Sequence, residues 1–238
     1  MTTIRLDDKV ICEIKEAVEH FKQSSEKFEP QVENLYNFLI RDKRLTPYIH
    51  SSKFRLKKLD SLYHKLERKA IEAITQEKEF DINASNLFEK IGDLCGIRLL
   101  HLHTNQIKQI NPLILTILDE NFYKIREGPI ANTWDYEYEK YFEILGITTA
   151  SRESMYTSIH YVIESNSRFK ILIEIQVRTL MEEVWGEVSH KIDYPDRTES
   201  ISCQEQIKVL ARMTSGCTRL VDSIFKSHEE FGSFKPKG

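Results

Sequence analysis

Residues 170–178, KILIEIQVR, alternate with a period of two: Ile173, Ile175 and Val177 lie on one side, Glu174, Gln176 and Arg178 on the other. Only an extended strand with one apolar and one polar face satisfies that pattern. Residues 156–165, YTSIHYVIES, alternate in the same way, with Ile159, Tyr161 and Ile163 opposite Ser158, His160 and Val162. The intervening SNSRF is short enough for a hairpin, which would bring Tyr156, His160 and the row beginning at Glu174 onto one surface. A solvated sheet face shows the same alternation, so this pattern alone does not assign a function.

Other segments surround that hairpin with helices. Val10, Ile11, Ile14, Val18 and Phe21 predict a helix over residues 8 to about 25, and Pro30 opens a second helix that ends before Pro47. FRLKKLDSLYHKLERKAIEAI continues the helical period, with Leu59, Leu62, Tyr63, Leu66, Ala70 and Ile74 on one face and a basic opposite face. LCGIRLLHLH, from Leu94, reads as a buried strand followed by a helix over 106–120, and a further strand is expected near 121–127. Residues 128–155 read as a loop with one short helix. Leu180, Met181, Val184, Trp185, Val188 and Ile192 form a helical face that stops at Pro195. The last helix, about 200–228, carries Cys203, Ile207, Leu210, Thr214, Cys217, Val221 and Ile224 as a seam expected to pack on its own domain, with a second subunit as the alternative. The expected architecture is α+β, a mixed sheet flanked by helices.

Composition narrows the partners. The 238 residues are 40% hydrophobic and 30% charged, with a formal net charge of -3, so any anion site must be local rather than a property of the whole surface. Cys12, Cys95, Cys203 and Cys217 show no zinc-ligand spacing and read as reduced, mostly buried thiols. No stretch approaches the roughly eighteen apolar residues of a membrane span, and the N-terminus lacks a signal-peptide core; a cytoplasmic location without membrane attachment is expected.

Three constellations can carry chemistry. Arg55, Lys57, Lys58, Lys65, Arg68 and Lys69 lie on or just before one helix; they suit phosphate oxygens, or form a solvated exterior. In FEKIGDLCGIR, Asp93 stands at the entrance of a strand, followed by Gly96 and Arg98; it is either a turn former or a Mg2+ ligand. IEIQVRT supplies a carboxylate, an amide and a guanidinium in one row.

In this order, FRLKKLDSLYHKL, DLCGIRL, YTSIHYVI and EIQVRT with EEVWGEVSHKIDYP resemble the synthetase domain of the RelA/SpoT homologue family, the alarmone synthetases, over about residues 50–195. The resemblance implies a nucleotidyltransferase-like fold and transfer of the β,γ-pyrophosphate of ATP to the 3'-hydroxyl of GDP or GTP. It implies that Arg55, Lys57 and Lys65 hold the ATP phosphates, that Asp93 binds Mg2+, and that Tyr156 stacks on the acceptor base. Glu174 would be a metal ligand or general base, with His160, Gln176 and Arg178 orienting the acceptor. Residues 1–49 and 196–238 would be helical extensions of a small synthetase that lacks a hydrolase domain, and homo-oligomers are common among such enzymes.

One departure touches the acceptor. Many members carry N-G-Y before the stacking tyrosine, whereas ASRESMY here offers Arg152 as its only base and Met155 in place of the glycine. An adenosine nucleotide or the 3' end of tRNA, in a toxin, stays open as acceptor, although the net charge disfavours tRNA and nothing indicates a protein antitoxin. A regulatory module that binds nucleotides without turnover is the rival reading.

Overall fold

The computed structural model describes residues 6–193 and 197–234. Helix α1 (Asp8–Arg41) is followed by strand β1 (Ser51–Leu56), α2 (Leu59–Thr75), the single turn α3 (Leu87–Lys90) and β2 (Cys95–His101). After α4 (Ile107–Glu120) come β3 (Lys124–Thr133), α5 (Tyr136–Ile144), β4 (Thr148–Ser151), β5 (Ser158–Glu164), β6 (Leu172–Thr179), α6 (Leu180–Asp193) and α7 (Ile201–Phe234). The strands form one six-stranded sheet in the order β1-β2-β6-β5-β3-β4. It is mixed: β2 runs parallel to β6 and β3 to β4, and the remaining pairs are antiparallel.

The two alternating segments become neighbouring central strands. Ile159, Tyr161, Ile163, Ile173, Ile175 and Val177 are all buried, and with Ile97 and Leu99 they form the apolar face. Helices α1 and α4 cover that side; the Tyr161 hydroxyl donates to Asn111 Oδ1 of α4 at 2.7 Å. Helix α6 lies over the polar face, and α7 packs on α6, where Trp185 Nε1 donates to the Ile207 carbonyl at 3.1 Å. Asp222 of α7 meets His103 Nδ1 at 2.9 Å and accepts from the Asn105 amide at 2.8 Å, which ties the helix to the end of β2.

Several local expectations are corrected. A single helix runs through Pro30 instead of two. The missing N–H costs one helical bond, about 3 kcal/mol with the ring clash, but Phe21, Phe28, Val32, Leu35 and Leu39 are buried along one continuous stripe, each contributing roughly 1.5–3 kcal/mol. The helix expected from Phe54 starts at Leu59, because residues 51–56 pair as an edge strand with β2. Residues 128–155 are mostly regular, since β3 continues to Thr133 and α5 and β4 follow. Only Cys95 of the four cysteines is buried; Cys12 and Cys217 are exposed, and all four are free. On α6 the buried side chains are Glu182, Glu183 and Trp185, whereas Val184, Val188 and Ile192 are exposed, because the helix faces a charged surface. The α7 seam buries Ala211, Thr214 and Thr218 and leaves Cys217 and Ile224 exposed. The expected stop at Pro195 lies outside the described residues. Among the described residues no helix is long and apolar enough to cross a membrane.

The start of α6 is a reciprocal cap. Glu182 accepts from the Thr179 amide at 2.8 Å, and Thr179 Oγ1 accepts from the Glu182 amide at 3.2 Å. Burial lifts the Glu182 carboxyl to about 7 against the opposing hydrogen bonds from Thr179. Between the ordinary carboxylate range and about 7 the folded chain therefore holds a proton that the unfolded chain has lost, so this group's contribution to stability falls as pH rises. Glu182→Gln keeps the accepting oxygen and removes the titration. Urea midpoints at pH 5 and pH 7.5 should move in favour of the variant at the higher pH; parallel shifts at both would contradict this.

Candidate active site

Register brings the polar row together. Gly96 lies beside Glu174 and Arg98 beside Gln176 across the β2–β6 pair, while His160 faces Gln176 from β5. Arg55 pairs with Gly96 from β1, and Asp93 enters from the loop that starts β2. All nine residues implied by the resemblance thus lie on or beside the polar face, Asp93 and Glu174 towards the start of β6 and Tyr156 and Arg178 towards its end. Arg55 is on a strand, Lys57 just after it, and Tyr156 precedes β5 rather than belonging to it.

Asp93 and Glu174 line one small cavity of about 20 Å³ with Arg55, Gly96 and Arg98. Gly96 lies on the wall of this space, where a Cβ would meet the Glu174 carbonyl oxygen at an ordinary 3.9 Å. Both carboxylates are held by cations or donors. Lys57 Nζ donates to Asp93 Oδ2 at 3.0 Å, and Lys65 Nζ stands 2.8 Å from Oδ1 in an ionic contact without hydrogen-bond alignment. His160 Nδ1 is 3.0 Å from Glu174 Oε1, and Gln176 Nε2 donates to Oε2 at 2.6 Å. Burial pushes both carboxyls up, but Lys65 and Lys57 at Asp93, and the His160 hydrogen bond at Glu174, more than offset it and leave both below the ordinary range. Burial lowers Lys57 despite Asp93 beside it.

A cleft of about 760 Å³ opens beside this pair, lined by Arg55, Lys58, His64, Arg98, Tyr156, Gln176, Arg178, Trp185 and His190. Its size suits a nucleotide, and its cations suit phosphates. The Tyr156 hydroxyl lies 2.9 Å from His160 Nε2, and the Arg178 guanidinium stands over the Tyr156 ring at 5.8 Å. Arg178 is 4% exposed, and its Nε donates to Glu183 at 2.7 Å, so it backs the tyrosine platform.

Sequence reasoning gave no role in the site to Arg98, Lys53, Glu183, Glu187 or Trp185. Arg98 Nη1 bridges Glu183 and Glu187, 2.7 Å from each, and Lys53 lies 3.0 Å from Glu183. Burial raises Glu183, yet Arg178, Lys53 and Arg98 bring it down to about 2. The available signal was the four-residue spacing of Glu183 and Glu187, which puts two carboxylates on one helix face above the strands. Met155, just before Tyr156, has φ +61°, a left-handed backbone under a long side chain.

Residues 54–199 match the family model described as a region found in RelA / SpoT proteins. The chain is 24% identical over 151 residues to the GTP pyrophosphokinase YwaC of Bacillus subtilis (strain 168); the match spans 61% of this chain and 59% of that protein. A structure of a GTP pyrophosphokinase family protein from Streptococcus pneumoniae aligns at TM-score 0.61 and 18% identity, covering 93% of this chain and 98% of the other. The small alarmone synthetase 1 of Bacillus subtilis, bound to its product pppGpp, aligns at TM-score 0.56 and 16% identity, covering 90% and 96%. At these identities the structural matches establish the fold.

Gly186 makes the Arg178 packing feasible, because a Cβ there would come within 2.6 Å of the Arg178 guanidinium. Alanine favours a helix interior by about 1 kcal/mol, but displacing a buried, ion-paired group costs about 1–3 kcal/mol. Gly186→Ala should therefore lower the thermal midpoint; a higher midpoint would contradict this packing.

Proposed function

Because the chain belongs to the RelA/SpoT family, we propose that it is a pyrophosphokinase that moves the β,γ-pyrophosphate of ATP to the 3'-hydroxyl of GDP or GTP. The observation that carries this reading is the pair Asp93 and Glu174, charged and facing one cavity between a basic cluster and an aromatic platform. The relatives' names point the same way: one is a GTP pyrophosphokinase, and another was solved with pppGpp.

Arg55, Lys57 and Lys65 take the ATP phosphates, and Tyr156 takes the acceptor base, which orients the hydroxyl towards the phosphorus. Asp93 and Glu174 suit Mg2+, a hard cation satisfied by one or two carboxylates plus water and phosphate oxygens. The fit rests on Asp93 Oδ1, which is buried and has no aligned hydrogen-bond donor, and on the ion-sized cavity beside it. When bound, the metal neutralises charge on the transferring phosphates. Lys57 and Lys65, which now balance Asp93, then have phosphate oxygens within reach as partners. Glu174, kept ionised by His160 and Gln176, is able to accept the proton of the attacking hydroxyl. Residues 50–195 form the synthetase unit in this reading, with 1–49 and 196–238 as extensions, and the nucleotide substrates accord with a cytoplasmic location.

The test is transfer of label from γ-labelled ATP with Mg2+, with GDP, GTP, AMP, ADP, ATP and deacylated tRNA as separate acceptors. GDP or GTP should be labelled, and label only on an adenosine nucleotide or tRNA would replace the acceptor assignment. Absence of transfer with nucleotide binding intact would favour the regulatory module. Glu174→Gln should reduce turnover by a factor of about 10² to 10⁴ with ATP binding retained; unchanged turnover would remove Glu174 from the chemistry.

A further inference from the structure

We propose that the Tyr156 hydroxyl and His160 are positioning groups for Glu174, so that Tyr156 has two separable tasks, one for its ring and one for its hydroxyl; this rests on the activity proposed above. The contacts form an unbroken chain. Tyr156 Oη is 2.9 Å from His160 Nε2, His160 Nδ1 is 3.0 Å from Glu174 Oε1, and Glu174 Oε2 accepts from Gln176 Nε2 at 2.6 Å.

Geometry fixes the partner of each ring nitrogen. Nδ1 of His160 faces Glu174 Oε1, and Nε2 on the opposite edge of the ring faces the Tyr156 oxygen. The phenol thus anchors the orientation of the imidazole that meets the carboxylate. Register makes the arrangement rigid, because His160 stands directly opposite Gln176 and Glu174 opposite Val162 in the antiparallel β5–β6 pair. Each Glu174 oxygen receives one donor, His160 from the neighbouring strand and Gln176 from the same one, so the carboxylate is fixed beside the Gly96 cavity that it lines. The Tyr156 ring meets the His160 ring edge-on, at 86° with centroids 5.6 Å apart, and Arg178 backs it. Stacking uses the ring; the tie to Glu174 uses only the oxygen.

Tyr156→Phe separates the two. Its kcat should fall about tenfold to a hundredfold, the usual effect of a misplaced reacting group, while the acceptor KM stays within about twofold. Tyr156→Ala should raise the acceptor KM as well. Asparagine at 160 sets an amide N–H where Nδ1 stands, so His160→Asn should keep more activity than His160→Ala, and Tyr156→Phe should cost nothing further on that background. A Tyr156→Phe enzyme with unchanged kcat, or with an additional loss in the His160→Asn chain, would overturn the proposal. The 15N spectrum of the His160 ring needs no turnover: Tyr156→Phe should shift the Nε2 signal from its wild-type position. An unchanged spectrum would overturn the arrangement even if the wild type transfers no pyrophosphate, an outcome that by itself would defeat only the proposed activity.

Discussion

Two carboxylates kept ionised on a largely covered sheet face are the constraint from which the rest of the site follows. Burial alone would raise the Asp93 and Glu174 carboxyls, and each is brought below the ordinary carboxylate range because donors stand within 3.0 Å. Those donors come from different elements: Lys57 follows β1, Lys65 is in α2, His160 is in β5 and Gln176 in β6. Holding the carboxylates therefore requires β1, β2, β5 and β6 to be in register, which the apolar side secures through Ile97, Ile159, Ile173 and Ile175. Packing on one face of the sheet thus sets the electrostatics of the other.

Helix α6 completes that balance. Arg98, Arg178 and Lys53 rise from the strands, and Glu183 and Glu187 descend to meet them, so the positive charge of the cleft is arranged in layers. Arg178 is consumed by this layer and by the Tyr156 ring, whereas Arg55 faces both the cleft and the small cavity. Glycine has a steric reason at Gly186, which leaves room for the Arg178 guanidinium. Met155, just before Tyr156, adopts a left-handed backbone and lines a small pocket together with Trp185.

Much of this was legible because period-two alternation reports directly on a half-buried strand: KILIEIQVR and YTSIHYVIES became β6 and β5 with the expected faces. The shared surface of His160 and Glu174 followed from a short hairpin, a local property, whereas Asp93 joins them through the non-local parallel pairing of β2 with β6. Failures arose where tertiary packing outweighed local preference. Pro30 signals a helix start, but a buried stripe on both sides of it carries α1 through. FRLKKL has a helical period that the edge of β2 overrides by pairing with it. The face of α6 was misjudged because its burial is driven by Arg98, Arg178 and Lys53, and charge pairing leaves no hydrophobic period to read.

The central claim is that Asp93 and Glu174 act as one seat for a divalent ion beside the donor phosphates. Crystals grown with a non-hydrolysable ATP analogue and Mn2+ would test it most directly, by the position of the anomalous signal of the metal. The account predicts one peak within about 2.0–2.4 Å of an oxygen of Asp93 and of Glu174, with Lys57 and Lys65 turned from Asp93 to the phosphates. A nucleotide in the cleft whose metal touches neither carboxylate, with the lysine contacts to Asp93 intact, would contradict it.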